Sequence, residues 1–164
     1  MKTIETDRLI IRNFDVEDWR DLQEMIIKYK ETEYAKYDHE WPTSDAEIKN
    51  IVEWFRSGNS YLAVCMKTMN KLIGFIAIDR REELEGQVHN FGFIFHPQYH
   101  GQGYAAESCQ AAIKYVFEDL AADGILTGTH PTNKPSVRLL NNLGMKEVTP
   151  GEFSISRGYW LTKE

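Results

Sequence analysis

The chain has 164 residues, 42% apolar and 27% charged, which suits one folded domain spanning residues 1–164 and excludes a disordered chain. A formal net charge of −6, with no basic run, excludes broad nucleic-acid binding, because phosphate affinity rests on clustered Lys and Arg. No long uncharged apolar run marks a membrane span, segment 1–14 has the wrong grammar for a signal peptide, and Cys65 and Cys109 are too isolated for a disulfide framework or a metal site, so a reduced cytoplasmic setting is expected.

Segment 3–13 alternates apolar Ile4, Leu9 and Ile11 with polar neighbours, broken by Asp7, and predicts an N-terminal strand. Asp15 then caps a helix whose apolar positions are Val16, Trp19, Leu22, Met25, Ile26 and Tyr29. Residues 30–41 read as a polar and aromatic loop closed by Pro42. Ser44 with Glu47 forms a capping box that opens a second helix through Ile48, Ile51, Val52 and Phe55, stopped at Gly58 and Asn59. Strands 61–67 and 72–79 follow, joined by a turn at Met69–Asn70. After a charged loop, residues 88–95 form a largely apolar strand ended by Pro97. The pattern is helical from Gly103 to Leu120, with a short strand at 124–128, a helix at 133–142, and two last strands at 145–148 and 153–161. No repeat or linker interrupts this order.

The stretch from His96 to Glu107 carries the chemistry. A strand runs into a loop holding Gly101 and Gly103, and a helix starts at once. Glycines let main chain approach a ligand closely, and first-turn amides have no intrahelical acceptor, so they act with the helix dipole as an anion site suited to a pyrophosphate. An acidic protein can hold a polyanion in this way, by local main-chain donors. The spacing is neither a Walker loop nor a dinucleotide fingerprint, because no Gly-Lys-Ser/Thr follows and the third glycine is absent. A tight strand-to-helix connection explains a Gly-x-Gly pair equally well, so spacing alone does not name the ligand.

Gln98-x-x-Gly101-x-Gly103 resembles the Gln/Arg-x-x-Gly-x-Gly/Ala signature of the GNAT acetyltransferases. The opening Ile4–Arg12 resembles the "TxRLxLR" start of the branch that includes ribosomal-protein N-terminal acetyltransferases. Asn90–Phe93 through Gly103–Ala105 and Asn133–Ser136 with Leu139–Met145 resemble that branch's later blocks, in order, over nearly the whole chain. The resemblance implies an α+β fold with a central, mostly antiparallel and partly splayed sheet of about six to seven strands flanked by about four helices.

It further implies an acyl-coenzyme A-dependent N-acetyltransferase, with acetyl-coenzyme A as co-substrate and no metal, acting on a small-molecule or peptide amine as a monomer or homodimer. Main-chain groups of Phe93, Ile94 and Phe95 would contact the pantetheine arm, and the amides of Gly101, Gln102, Gly103, Tyr104 and Ala105 the pyrophosphate, with Gln98 shaping the loop. Asn133 resembles the family asparagine that bonds the pantetheine, and it can also cap the following helix. Many relatives carry a Tyr where this chain has Leu140, so Ser136 is the candidate donor to the departing thiolate.

The amine must lose a proton before it attacks. Relatives place a Glu where Asn90 stands, and an amide does not accept that proton, which leaves His130, His96 or ordered water as candidate bases. Residues 31–41 set carboxylates among aromatics, so Tyr34, Tyr37, Asp38 and Trp41, with Asn90, are candidates for the acceptor side; packing of the aromatics into the core is the competing reading. The missing carboxylate at Asn90 and the Leu at 140 also admit a non-catalytic acyl-coenzyme A sensor or binding module.

Overall fold

The N-terminal alternation folds as two strands rather than one, because Thr6 turns the chain. Its amide donates to the Leu9 carbonyl (2.9 Å) and its hydroxyl accepts from the Leu9 amide (3.0 Å), between β1 (Ile4–Glu5) and β2 (Leu9–Asn13). The two strands pair antiparallel, Ile4 opposite Ile11. This break adds a strand to the seven read from the sequence: the computed structural model, which describes residues 1–163, holds one sheet of eight.

Asp15 caps the next turn by accepting from the Glu17 amide, and Arg12 grips Asp18 through both guanidinium ends (2.8 and 2.9 Å), tying β2 to the start of α1 (Trp19–Lys30). Ser44 opens α2 (Asp45–Arg56) as its cap, but not with the reciprocal box expected. Its hydroxyl accepts from the Glu47 amide (3.3 Å) and donates to the Glu47 carboxylate (2.7 Å), so Glu47 meets the Ser44 hydroxyl rather than its amide. The strands β3 (Tyr61–Met66), β4 (Lys71–Arg80) and β5 (Val88–Phe95) then run antiparallel to one another. After α3 (Tyr104–Glu118), β6 (Gly124–Gly128) pairs parallel to β5. The helix α4 (Lys134–Asn142), the strands β7 (Lys146–Thr149) and β8 (Glu152–Ser156), and α5 (Arg157–Lys163) complete the chain. The sheet order is β1-β2-β3-β4-β5-β6-β8-β7.

Period-two alternation gives the sheet two apolar faces. On one, Leu22, Met25 and Ile26 of α1 and Ile48, Val52 and Phe55 of α2 pack on Ala63, Phe75 and Ile94. On the other, Ile113, Val116 and Phe117 of α3 join Leu140 and Trp160 over Val64, Ile76, Phe91 and Phe95. Phe55 is fully buried and stacks on Tyr61 at 3.9 Å, so truncating it to Ala is expected to cost about 3–5 kcal/mol.

Two further stretches differ from the sequence reading. The last strand ends at Ser156 rather than running to 161, because its partner β6 begins at Gly124, opposite Ser156. The Arg157 amide donates instead to the Asp123 carbonyl (2.9 Å), and α5 turns Trp160 inward to stack on Phe117 (5.2 Å). Within the loop after α1, Glu33–Tyr37 winds into a short 3-10 turn.

Candidate coenzyme and acceptor site

The site begins where β5 and β6 part. Pairing between them stops at Asn90 and Leu126, while β5 stays paired with β4 as far as Phe95. Bonds at the two ends of the β4–β5 ladder, Arg81 amide to Val88 carbonyl (2.8 Å) and His96 amide to Ile73 carbonyl (2.7 Å), set the alternation of the antiparallel pair. Asn90, Gly92 and Ile94 therefore bond to β4, and Phe91, Phe93 and Phe95 turn their main-chain groups the other way, into the gap. The Phe95 carbonyl is taken by His100 Nε2 (2.9 Å), leaving the Phe93 amide and carbonyl and the Phe95 amide without a strand partner on this edge. Of the three residues expected along the pantetheine arm, Phe93 and Phe95 have this geometry. Ile94 has its main chain committed to β4 and its side chain in the core.

At the mouth of the gap lies the glycine loop. Gly101 (φ 74°) and Gly103 (φ 82°) both take the left-handed conformation, and Gly103 is the N-cap of α3 without any side-chain cap. Among the described residues, nothing accepts from the amides of Gly101, Gln102, Gly103, Tyr104 or Ala105; the first helical bond is Glu107 amide to Gly103 carbonyl (3.0 Å). Five uncapped donors beside an unpaired strand edge fit an extended ligand ending in a diphosphate. Gln98 is exposed and shapes the loop through its main chain: its carbonyl accepts from Gln102 Nε2 (3.2 Å) and its amide donates to His96 Nδ1 (3.1 Å).

Across the gap, Asn133 caps α4 by accepting from the Ser136 amide through Oδ1 (3.4 Å), which leaves its Nδ2 without a partner among the described residues. Ser136 sits one turn into α4, half-buried, its hydroxyl likewise without a described partner. The histidines are differently disposed. His96 is 2% exposed; its Nδ1 accepts from the Gln98 amide, so in the neutral ring Nε2 carries the proton and donates to Glu24 Oε1 (3.1 Å). It fastens the loop to α1 and offers no lone pair to an acceptor. Burial alone would raise the Glu24 carboxyl, but hydrogen bonds from Lys71 and His96 hold it below the usual range. His130 is exposed, and its Nδ1 accepts from the Thr132 amide (3.2 Å), which aims its lone pair at its own loop.

The turn Glu33–Tyr37 spans the two lips of the gap. Tyr34 lies beside His100 on the β5 side (6.4 Å between rings), and Tyr37 stacks on His130 beyond β6 (4.9 Å), its hydroxyl 2.7 Å from Thr132 Oγ1. Trp41 instead is 7% exposed and packs edge-on against Phe55 and Phe75, the core reading of that aromatic. Asp38 stays with this loop, lining a cavity of about 280 Å³ with Tyr29, Lys30, Ala35, Lys36 and Trp41.

Asn90 lies at the apex of the gap, its Oδ1 accepting from Arg81 (3.0 Å). Directly opposite on β4 stands Asp79, and residues facing each other across an antiparallel pair project from one side of the sheet. That carboxylate is exposed and on the α1–α2 face: the Tyr61 hydroxyl, on that face too, is pushed up by burial and then by the charge of Asp79. The sequence reading did not single out Asp79, because only the register sets this carboxylate opposite Asn90. Cys65 and Cys109 are buried, and burial pushes the Cys65 thiol up to about 11 and Cys109 higher still, so neither is an activated nucleophile. Among the described residues, no group of three or more His, Cys, Asp or Glu is placed to hold a metal.

A mixed sheet opened between two parallel strands, with bare helix-start amides at its mouth, has the donors and the shape to take an extended diphosphate ligand. The chain belongs to the GNAT acetyltransferases: the family model described as the acetyltransferase (GNAT) domain matches residues 8–146. These enzymes use acetyl-coenzyme A as co-substrate. The chain is 28% identical over 144 residues to the uncharacterized N-acetyltransferase YnaD of Bacillus subtilis (strain 168), covering 87% of this chain and 82% of that one. Its fold resembles an acetyltransferase of the GNAT family from Bacillus anthracis (TM-score 0.84, 24% identity, 96% and 99% of the two chains). It also resembles spermidine N-acetyltransferase from Vibrio cholerae, solved with CoA and spermine (TM-score 0.78, 17% identity, 95% and 99%). A third is ribosomal-protein-S5-alanine acetyltransferase from Vibrio fischeri (TM-score 0.80, 14% identity, 98% and 99%).

Proposed function

We propose that this chain transfers the acetyl group of acetyl-coenzyme A to a primary amine, directly, with both substrates bound. The observation that carries this reading is the row of unaccepted amides at Gly101–Ala105 beside the unpaired edge of β5. Those amides hold the diphosphate, each charge-assisted bond contributing roughly 1.5–3 kcal/mol. The main chain of Phe93 and Phe95, with Asn133 Nδ2, receives the pantetheine arm. The Ser136 hydroxyl donates a hydrogen bond to the departing thiolate, which takes up the proton that the nitrogen sheds as the amide forms.

The amine enters on the face carrying Asn90 and Asp79, under the aromatic turn of Tyr34 and Tyr37. Asp79 attracts the ammonium form and accepts its proton, a task that suits its register position better than the engaged lone pairs of His96 and His130. Carboxylates and rings on this side favour a cationic acceptor. Structural relatives named for spermidine and for ribosomal-protein alanine indicate the amine classes to screen first.

The test is thiol release from acetyl-coenzyme A across polyamines, peptides with free N-termini and aminoglycosides, beside calorimetry with coenzyme A. Release with one class establishes the reading and the acceptor together. Tight coenzyme binding with no release on any amine would make the chain a coenzyme-binding module, and indifference to coenzyme A would remove the reading.

A further inference from the structure

The opening block that carries the resemblance holds Thr6 and Arg8, yet no step assigned above uses either residue. The fold carries Arg8 to the glycine loop. Its Nε and Nη2 both reach Glu107 Oε2 at 2.7 Å, its Nη1 donates to the Gln102 carbonyl (2.9 Å), and its guanidinium lies 4.2 Å from the centre of the Tyr104 ring. Glu107, in the first turn of α3, accepts on its other oxygen from the Thr6 hydroxyl (2.7 Å) and the Arg8 amide (2.9 Å). Burial alone would raise this carboxyl, but those bonds and the charge of Arg8 hold it below the usual range, so it is ionised at neutral pH.

We propose that Arg8 is a positioning residue for the coenzyme: it aims the diphosphate-binding amides and masks a carboxylate, Glu107, beside them. The inference rests on the reading that Gly101–Ala105 hold the diphosphate, and adds a cause for their orientation. In a trans peptide the carbonyl and the next amide point in opposite directions, and the chain has no cis peptide among its described residues. Holding the Gln102 carbonyl toward Arg8 therefore turns the Gly103 amide to the other side of the loop. Arg8 backs the loop closely: a Cβ at Gly103 would lie 3.3 Å from Nη2.

The second effect is electrostatic. A carboxylate at a helix start is favourable toward the helix, yet it repels a phosphate bound at the same end. Paired with Arg8, Glu107 keeps the first contribution and loses the second. Without Arg8, its charge stands bare beside the site.

The test is calorimetric titration with coenzyme A and with dephospho-coenzyme A, which keeps the diphosphate and lacks the 3′-phosphate. The proteins are the wild type, R8M, R8K, E107Q and the double variant R8M/E107Q, each with its unfolding temperature recorded. R8M is expected to weaken both ligands by the same factor, about tenfold or more. R8K, which keeps the charge but does not bridge Glu107 and Gln102, should lose less. R8M/E107Q should bind more tightly than R8M, because the bare carboxylate is gone.

The proposal is overturned if R8M and R8K both bind within twofold of the wild type. It is also overturned if the loss is confined to coenzyme A, placing Arg8 on the 3′-phosphate, or if E107Q in the R8M background gives no recovery, the pattern of a merely structural contact. Should R8M not fold, R8K against wild type decides alone, with equal losses on both ligands expected and binding within twofold overturning. A wild type that binds neither ligand would instead sink the acetyl-transfer reading, and the two failures are thereby told apart.

Discussion

The proposed coenzyme end and the proposed acceptor end of this molecule are built from different materials. At Gly101–Ala105 and along β5 the groups on offer are main-chain amides and carbonyls, aimed by two left-handed glycines and an interrupted strand pairing. At the acceptor end they are side chains: Tyr34 and Tyr37 on a short turn, Asp79 and Asn90 across a ladder. A main-chain site depends on backbone conformation, so it survives wide drift in sequence and leaves a spacing motif. A side-chain site changes with each residue, so one fold can serve many amines.

That contrast fixes how each end should break. The largest effect is expected at Gly103, where Trp would force a side chain into positive φ against Arg8 and displace the amides. Gly103→Trp should weaken acetyl-coenzyme A binding on the order of 1000-fold, read by calorimetry, with turnover lost in parallel. A variant binding within tenfold of wild type would mean that the loop is not the diphosphate site.

Next in size is the acceptor base. Asp79→Asn should lower kcat by about 100-fold on the best amine and leave the dissociation constant for coenzyme A unchanged. Equal losses in both would merge the two ends that the structure keeps apart. Ser136→Ala should then lower kcat by about tenfold, again without weakening the coenzyme, since its hydroxyl serves only the departing thiolate.

The smallest effect is on stability against pH. Glu24 and Glu107 have carboxyl groups held below the ordinary 4.5 once hydrogen bonds outweigh burial. Their depressed folded values contribute stability that is complete above about pH 4.5 and lost as pH falls through those lower values. The unfolding temperature should therefore drop on acidification below about pH 4.5, and E107Q should flatten part of that drop. A melting profile for E107Q that parallels the wild type down to pH 3 would show that the Arg8 contacts do not bias its titration.

Much of the coenzyme end was legible in residues 96–107, because a strand, two glycines and a helix start are local features. The capped turn that leads into α1 and the capped start of α2 were legible for the same reason, at Asp15 and at Ser44. The acceptor end was less so. Trp41 and Tyr37 share a loop and a composition, yet one packs into the core and the other stacks on His130; only the shape of the neighbouring surfaces separates them. His96 stood among the candidate bases because Glu24, which engages its ring, lies 72 residues away.

By itself, then, the chain's sequence determined the order of elements, the alternating faces of the sheet and the glycine loop, since each follows from the conformational preferences of neighbouring residues. Tertiary structure alone decided what those elements meet: Arg8 behind the loop, Asp79 facing Asn90, and the turn of α5 that ends the last strand. Register and long-range packing are properties of pairs of segments, and no single segment encodes its partner.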